Sequence, residues 1–299
     1  MERTSPRNIL ILDAPTDLGL TPTGVDGLGE ALQAAGLRQV LDAAYAGRIE
    51  PLPYDQQRDA ETLLLNPHGI HDFALRQAEA VGALLDRGTF PLVLGGDDSV
   101  LFGNLLALRR RGRFGLVFLD AHTDFFLPEQ SPTGQASDCD LALTTGRGPA
   151  VIANLDGLKP LIRDEDVAAL GARDADERAE LNGLDPHTTA MLVLELMEMR
   201  PLGAHIAAEQ AVRHILKEGV EGYWIHLDTD VIDDMVNPAV DYRLPGGLGV
   251  QELGEVLRGL ITSDKAVGMD VTIYNPTLDR NGDAARAIVE VLLTGLRGS

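Results

Sequence analysis

Short, almost continuously apolar runs alternate along this chain with stretches of helical periodicity. The apolar runs cover residues 8–14, 90–96, 114–122, 167–174, 222–230 and 265–273. The helical patterns cover residues 71–88, 99–112, 204–219, 249–261 and 282–296. Strands that are apolar on both faces need covering on both faces, which is typical of a parallel sheet joined by crossover helices. The alternation therefore predicts an α/β fold. Since no repeat or clear linker interrupts it, we expect one domain over residues 1–299.

The charge balance narrows the classes of partner. The chain has 46 Asp and Glu residues against 25 Lys and Arg residues, which gives a net charge of −21. Nucleic acid and anionic membranes bind clustered cations, so we expect neither as a partner, whereas this surface favours a small cationic substrate.

The start of the chain lacks the apolar core of a signal peptide, and no run approaches the ~18 apolar residues of a membrane span. These features predict a cytoplasmic protein, and its one cysteine, Cys139, excludes an intrachain disulfide.

Acidic residues follow three of the predicted strands at the point where each strand ends. They are Asp97 and Asp98, then Asp120 and Asp124 with His122 between them, then Asp228 and Asp230. Ligands of open α/β sheets bind outside the carboxyl ends of the strands, so three elements deliver carboxylates to one edge. In an extended chain, residues at i, i+2 and i+4 share a face, which would align Asp120, His122 and Asp124 with one another, and Asp228 with Asp230.

Carboxylates that converge need a cation, because unpaired like charges repel and force protonation. Carboxylates with few imidazoles suit hard or borderline ions, with Mn²⁺ preferred to Zn²⁺. Asp is also common at helix caps and turns, and for a single Asp-x-Asp that explanation is the better one. The combination of DAHTD, DTD and a third acidic loop, each after an apolar run, instead indicates a metal site.

The motifs, taken together, resemble the arginase/agmatinase (ureohydrolase) family. They are GGDDS (95–99), DAHTD (120–124), HLDTDVIDD (226–234) and IYNP (273–276), and residues 14–37 and 170–177 extend the resemblance over most of the chain. The resemblance implies a three-layer α/β/α fold with one mostly parallel sheet, and a centre of two Mn²⁺ ions. In that family a metal-bridging hydroxide attacks the central carbon of a guanidinium or amidine group. Members are commonly trimers or hexamers, so we expect a homo-oligomer.

The resemblance also implies a role for each acidic position. Asp120 and Asp228 would bridge the two metals, Asp98 and Asp124 would complete one of them, and His122 and Asp230 would complete the other. Asp124 would in addition accept a hydrogen bond from the bridging hydroxide.

Several positions depart from the family pattern. Asp98 stands where the family has a histidine ligand, which predicts an all-oxygen first site for Mn²⁺, Mg²⁺ or another divalent ion. Ile273 stands where the family has the glutamate that grips the guanidinium, so it would face the substrate. Ser137 stands at the place of a proton-shuttling histidine. His226 replaces a serine, and we expect it to be a satisfied core residue that faces away from the metals.

Asp138 and Asp140 lie beside Ser137 and allow two interpretations. They could take over the missing proton transfer or contact the substrate, or they could cap the helix that begins near CDLALTTG (139–146). Capping is the preferred interpretation.

Two functions remain open on the sequence. One is a metal-dependent hydrolase that cleaves a C–N bond of a linear amidine other than plain arginine, which the five ligand positions unchanged from the family pattern favour. Because Ile273 makes one wall apolar, a different amide or a hydroxyguanidine is a further substrate for such an enzyme. The other is a family member that has lost catalysis and acts as a binding or regulatory subunit, which Ser137 and Ile273 favour.

Overall fold

Eight parallel strands form the one sheet found within residues 7–297, which are the residues that this computed structural model describes. The strands are β1 (Ile9–Asp13), β2 (Ala44–Arg48), β3 (Phe90–Leu94), β4 (Gly115–Leu119), β5 (Val167–Leu170), β6 (Leu192–Leu194), β7 (Tyr223–Asp228) and β8 (Ala266–Thr272). Their order across the sheet is β2-β1-β3-β8-β7-β4-β5-β6. The chain therefore returns at its end to insert β8 between β3 and β7.

Helices cover both faces of this sheet. They are α1 (Leu28–Ala34), α2 (Leu37–Val40), α3 (Pro67–Asp86), α4 (Val100–Arg109), α5 (Asp140–Thr144), α6 (Ala150–Ala153), α7 (Ala175–Glu180), α8 (Leu196–Leu202), α9 (Ala204–Ile215), α10 (Val250–Ile261) and α11 (Asp283–Leu296). Alternate strand residues enter different cores: Ile9 and Ile11 belong to the core that includes residues of α9, α10 and α11, whereas Leu10 and Leu12 belong to the core that includes residues of α3 and α4. The predicted three-layer α/β/α fold is confirmed. None of the helices within residues 7–297 is long and apolar enough to cross a lipid bilayer.

The two outermost strands are the ones that the sequence pattern missed. β2 is mostly exposed, and β6 has 3 residues, so neither produces a long apolar run. All six predicted strands are present, with shorter bounds than the apolar runs suggested. The central strands β3, β4 and β7 end side by side with β8 at one edge, and this edge carries the acidic motifs.

Candidate metal centre

Asp120, His122 and Asp230 form the outer cluster of the site. Each offers one ligand atom, and these three atoms lie within 4.8 Å of one another. His122 Nδ1 is 2.8 Å from Asp230 Oδ2 and 3.6 Å from Asp120 Oδ1. The backbone N–H of Ala121 donates to Asp230 Oδ1 at 3.0 Å, which ties the loop after β4 to the loop after β7. These three residues could hold a metal ion.

The acidic residues converge by turning, and the expectation of an extended chain is wrong. β4 ends at Leu119, and Asp124 has a φ of 43°, in the left-handed region. Asp230 lies in a 3₁₀ turn, Thr229–Val231, whose preceding residue Asp228 accepts a hydrogen bond from the Asp230 N–H at 2.7 Å. The tight turns place alternate carboxylates on the same side without an extended backbone.

The carboxyl groups lie close enough together that burial and mutual repulsion raise the pKa values of several of them. Burial, followed by the charges of Asp120 and Asp140, raises the pKa of Asp124 well above its usual range. Burial and the charges of Asp230 and Asp120 do the same to the pKa of Asp228. Burial raises the pKa of Asp98 to about 8, with Asp120 adding to the shift. A bound divalent cation would remove this mutual repulsion.

Orphaned oxygens show that the cluster fits a metal. Asp98 Oδ1 and Asp120 Oδ2 are buried and accept no hydrogen bond from any residue in the described part of the chain. A donor set of carboxylate oxygens with few imidazoles suits Mn²⁺ and similar ions. The site therefore has both the free lone pairs and the ligand types that a divalent cation requires.

The loop that presents Asp98 is held by Asp97. The Asp97 carboxylate accepts the N–H of Ser99 at 2.7 Å and the N–H of Gly19 at 2.9 Å. At Gly96 a Cβ would lie 2.0 Å from the carbonyl oxygen of Thr16, so only glycine permits this close approach. Asp97 thus fixes the turn at the end of β3, and Asp98 points into the site.

A pocket of about 140 Å³ opens above these carboxylates. Its floor includes Asp98, His122, Asp124, Asp228 and Asp230. Its walls are partly apolar, with Leu20, Phe126, Pro132, Leu181 and Ile273, and partly polar, with Thr133, Ser137, Asp138, Asp174, Glu177 and Tyr242. A pocket of this size and lining suits a small molecule.

Known proteins share both the sequence and the fold of this chain. The model of the Arginase family matches residues 7–296. The chain belongs to the arginase family. An arginase of Staphylococcus aureus is 29% identical over 97% of both chains. The arginase structure from Bacillus caldovelox superposes with a TM-score of 0.86 at 26% identity, covering 98% of this chain and 99% of that one. The formimidoylglutamase structure from Bacillus subtilis, at 19% identity and a TM-score of 0.73 over 100% of this chain and 88% of that one, shares the fold.

Membership of the arginase family confirms the resemblance and assigns the chain to hydrolases that act on C–N bonds of amidine groups. The four quoted motifs all lie at or beside the pocket described above. The assignments of individual metal and substrate roles remain predictions that rest on position.

Ile273 gives this family member an apolar wall. The residue is 5% exposed and packs with Leu20, Val25 and Val240. Its φ of 69° is unfavourable for a β-branched residue, and its N–H donates to Gly96 O at 2.8 Å. The strained backbone is thus held by the same loop that presents Asp98.

The capping interpretation for Asp138 and Asp140 is wrong. α5 begins at Asp140, and no side chain caps this end. Asp138 instead accepts hydrogen bonds from the hydroxyls of Ser131, at 2.6 Å, and Thr133. Both carboxylate oxygens of Asp140 and the hydroxyl of Ser137 are buried without a hydrogen-bond partner among residues 7–297.

The orientation predicted for His226 is also wrong. The imidazole is fully buried, and its Nε2 is 3.6 Å from Asp98 Oδ1. Residues 226 and 228 are two apart on β7, so they share a face of the sheet, and this period of two was available in the sequence. The other ring nitrogen, Nδ1, lies 2.5 Å from Oδ2 of Asp270 on β8, a residue that the sequence motifs did not identify.

Proposed function

We propose that this chain is a binuclear-metal hydrolase that cleaves a C–N bond of a small guanidino or amidine cation. The observation that carries the proposal is the group of buried carboxylates with unpartnered oxygens at the floor of a small pocket. Mn²⁺ is the ion that best suits the donors, and two ions per chain are expected.

The residues that would hold the cations are Asp98, Asp120, His122, Asp124, Asp228 and Asp230. When bound, the two ions supply Lewis acidity, which makes hydroxide available from water at neutral pH. Asp124 lines the pocket and would accept a hydrogen bond from the attacking hydroxide, which would orient it toward the substrate carbon. Ser137 and Asp138 line the same pocket, so the departing amine would pass a hydroxyl and a carboxyl group.

The pocket favours a substrate other than plain arginine. No lysine or arginine side chain is among the described residues that line it, so a substrate carboxylate would find no cationic partner there. Asp138 and the exposed Glu177 would instead attract a second cationic group on the substrate tail. Ile273 offers apolar contact where the family has a carboxylate. We therefore propose a guanidino or amidine compound whose tail is cationic or uncharged.

A substrate panel tests this proposal. Guanidinoalkylamines, arginine, guanidino acids, formimino compounds and ureido compounds are incubated with the Mn²⁺-loaded protein, and the release of urea, ammonia or amide is measured. We expect turnover of a guanidinoalkylamine above that of arginine, and its loss in Asp120→Asn. The matched control His71→Asn, at a half-buried position of α3 outside the pocket, should retain turnover.

Binding of Mn²⁺ without turnover of any compound would overturn the proposed hydrolysis. It would favour the second candidate, a family member that binds without catalysis, which Ile273 supports because the wall has lost a guanidinium-binding carboxylate. Assembly as a trimer or hexamer stays a prediction, which light scattering after size-exclusion chromatography would test.

A further inference from the structure

Two buried atoms face each other at the inner end of the metal centre. His226 Nε2 and Asp98 Oδ1 are 3.6 Å apart, which is too long for a hydrogen bond. Within residues 7–297 neither atom has a hydrogen-bond partner. Buried polar atoms are normally satisfied, so an unpaired donor or acceptor on each side of one gap calls for a ligand between them.

The imidazole of His226 is held rigidly from behind. Its Nδ1 donates to Asp270 Oδ2 at 2.5 Å. The other oxygen, Asp270 Oδ1, accepts a hydrogen bond from Asn104 Nδ2 at 2.9 Å and another from the indole N–H of Trp224. The ring of Phe118 stacks on the imidazole with centroids 4.8 Å apart.

This arrangement is the one that metal-binding histidines adopt. A carboxylate that takes the proton of one ring nitrogen fixes the tautomer and directs the lone pair of the other nitrogen at the ion. The strand register produces it here, because His226 on β7 is aligned with Asp270 on β8 and with Phe118 on β4.

We propose that His226 Nε2 is a ligand of the divalent cation held by Asp98, so that β7 supplies the imidazole that the loop after β3 lacks. The proposal rests on the metal-dependent function proposed above, and it replaces the all-oxygen site expected from the sequence. Two ligand atoms that each lie about 2.1 Å from one cation can be 3.6 Å apart, as these are.

Asp140 adds a second, independent observation. Its carboxylate is fully buried, and neither oxygen has a hydrogen-bond partner in the part of the chain that the structure describes. Asp98, Asp120 and His226 are all close enough to feel its charge. A buried and unpaired carboxylate beside the His226–Asp98 gap makes this end of the site attractive to a dication.

The test measures metal content and affinity, which do not depend on turnover. Wild-type protein should bind two Mn²⁺ ions per chain by elemental analysis and titration calorimetry. His226→Ser should weaken one of the two by more than about 100-fold, beyond the usual effect of losing an outer-sphere partner. The swapped double variant Asp98→His with His226→Ser should regain two ions, because it restores a histidine to the other side of the gap. His71→Asn should match wild type.

Pulsed electron paramagnetic resonance on the wild-type protein keeps the proposal falsifiable if His226→Ser fails to fold. With ¹⁵N-histidine labelling, Mn²⁺ should report coupling to two imidazole nitrogens, from His122 and His226. Coupling to one imidazole, or two tightly bound ions in His226→Ser, would overturn the proposal. One ion in wild type whose affinity His226→Ser leaves unchanged would also overturn it, since His226 would then not be a ligand. A failed substrate panel with these metal results intact would overturn only the proposed hydrolysis.

Discussion

Two histidine–carboxylate pairs lie at the carboxyl edge of the sheet. In the outer pair, His122 and Asp230 come from loops, their closest atoms are 2.8 Å apart, and the His122 side chain is 19% exposed. In the inner pair, His226 and Asp270 come from adjacent strands in register, and both are fully buried. Both members of the outer pair line the pocket, whereas neither member of the inner pair does: its imidazole faces Asp98, and its carboxylate lies behind the ring. The loops that carry the outer pair can therefore shift to fit a ligand, whereas the sheet fixes the position of the inner pair.

Removing the cations should have the largest effect, because it acts on both pairs together. A ligand at about 1,000 times its Kd contributes about 4 kcal/mol to the free energy of unfolding. For a chain of 299 residues, chelation should therefore lower Tm by roughly 6 °C or more. Differential scanning calorimetry with and without a chelator measures this.

Asp124→Asn sharpens that experiment, because it removes one of the repelling charges. The chelated variant should melt above the chelated wild type, since the charges of Asp120, Asp140 and Asp98 act against an ionised Asp124. A chelated Asp124→Asn that melts at or below chelated wild type would contradict the repulsion, and a wild-type Tm that chelation leaves unchanged would contradict the metal site.

The outer pair was predictable from the sequence and the inner pair was not. His122 and Asp230 lie in short motifs that follow apolar runs, and the edge they share follows from parallel strands. Asp270 was visible only as one acid inside an apolar run. Its partner depends on β8 lying between β3 and β7, an order that sequence succession does not reveal. An acid buried in a strand does require a partner, but that signal does not say which residue supplies it.

His122→Asn breaks the outer pair and should remove one ion. We expect its Mn²⁺ affinity at one site to fall about 100-fold or more, with turnover falling in parallel. His187→Asn is the matched control, since His187 Nε2 is 3.3 Å from Glu195 Oε1 in a surface pair. Two tightly bound ions in His122→Asn would exclude this histidine as a ligand.

Asp270→Asn breaks the inner pair and should have a smaller effect on the metal but a larger one on the fold. Loss of the carboxylate behind a ligating imidazole weakens metal binding by about 10–100-fold. The disturbed bonds to Asn104 and Trp224 should lower the free energy of unfolding by about 1–3 kcal/mol. Calorimetric titration with Mn²⁺ and denaturant unfolding measure the two effects.

Asp166→Asn is the control for that variant. Asp166 is also fully buried and accepts two hydrogen bonds from Arg113, at 2.7 and 2.8 Å, beside the amino ends of β4 and β5. It should destabilise the fold and leave the affinity for Mn²⁺ unchanged. An equal loss of affinity in both variants would mean that Asp270 acts through stability alone.

Phe118→Leu should have the smallest effect on the affinity for Mn²⁺. It distinguishes the contribution of ring stacking on His226 from that of the hydrogen bond to Asp270. The Phe118 and His226 rings are stacked at 21°, and losing such a contact together with part of the side-chain volume costs about 1–2 kcal/mol of stability. Because Asp270 still holds Nδ1, we expect the Mn²⁺ affinity to change by less than about threefold, well below the range for losing an outer-sphere carboxylate. Phe73→Leu, at a buried position of α3, should match it in stability. A loss of affinity in Phe118→Leu as large as that in Asp270→Asn would show that the stacked ring, and not the carboxylate, aims His226 at the cation.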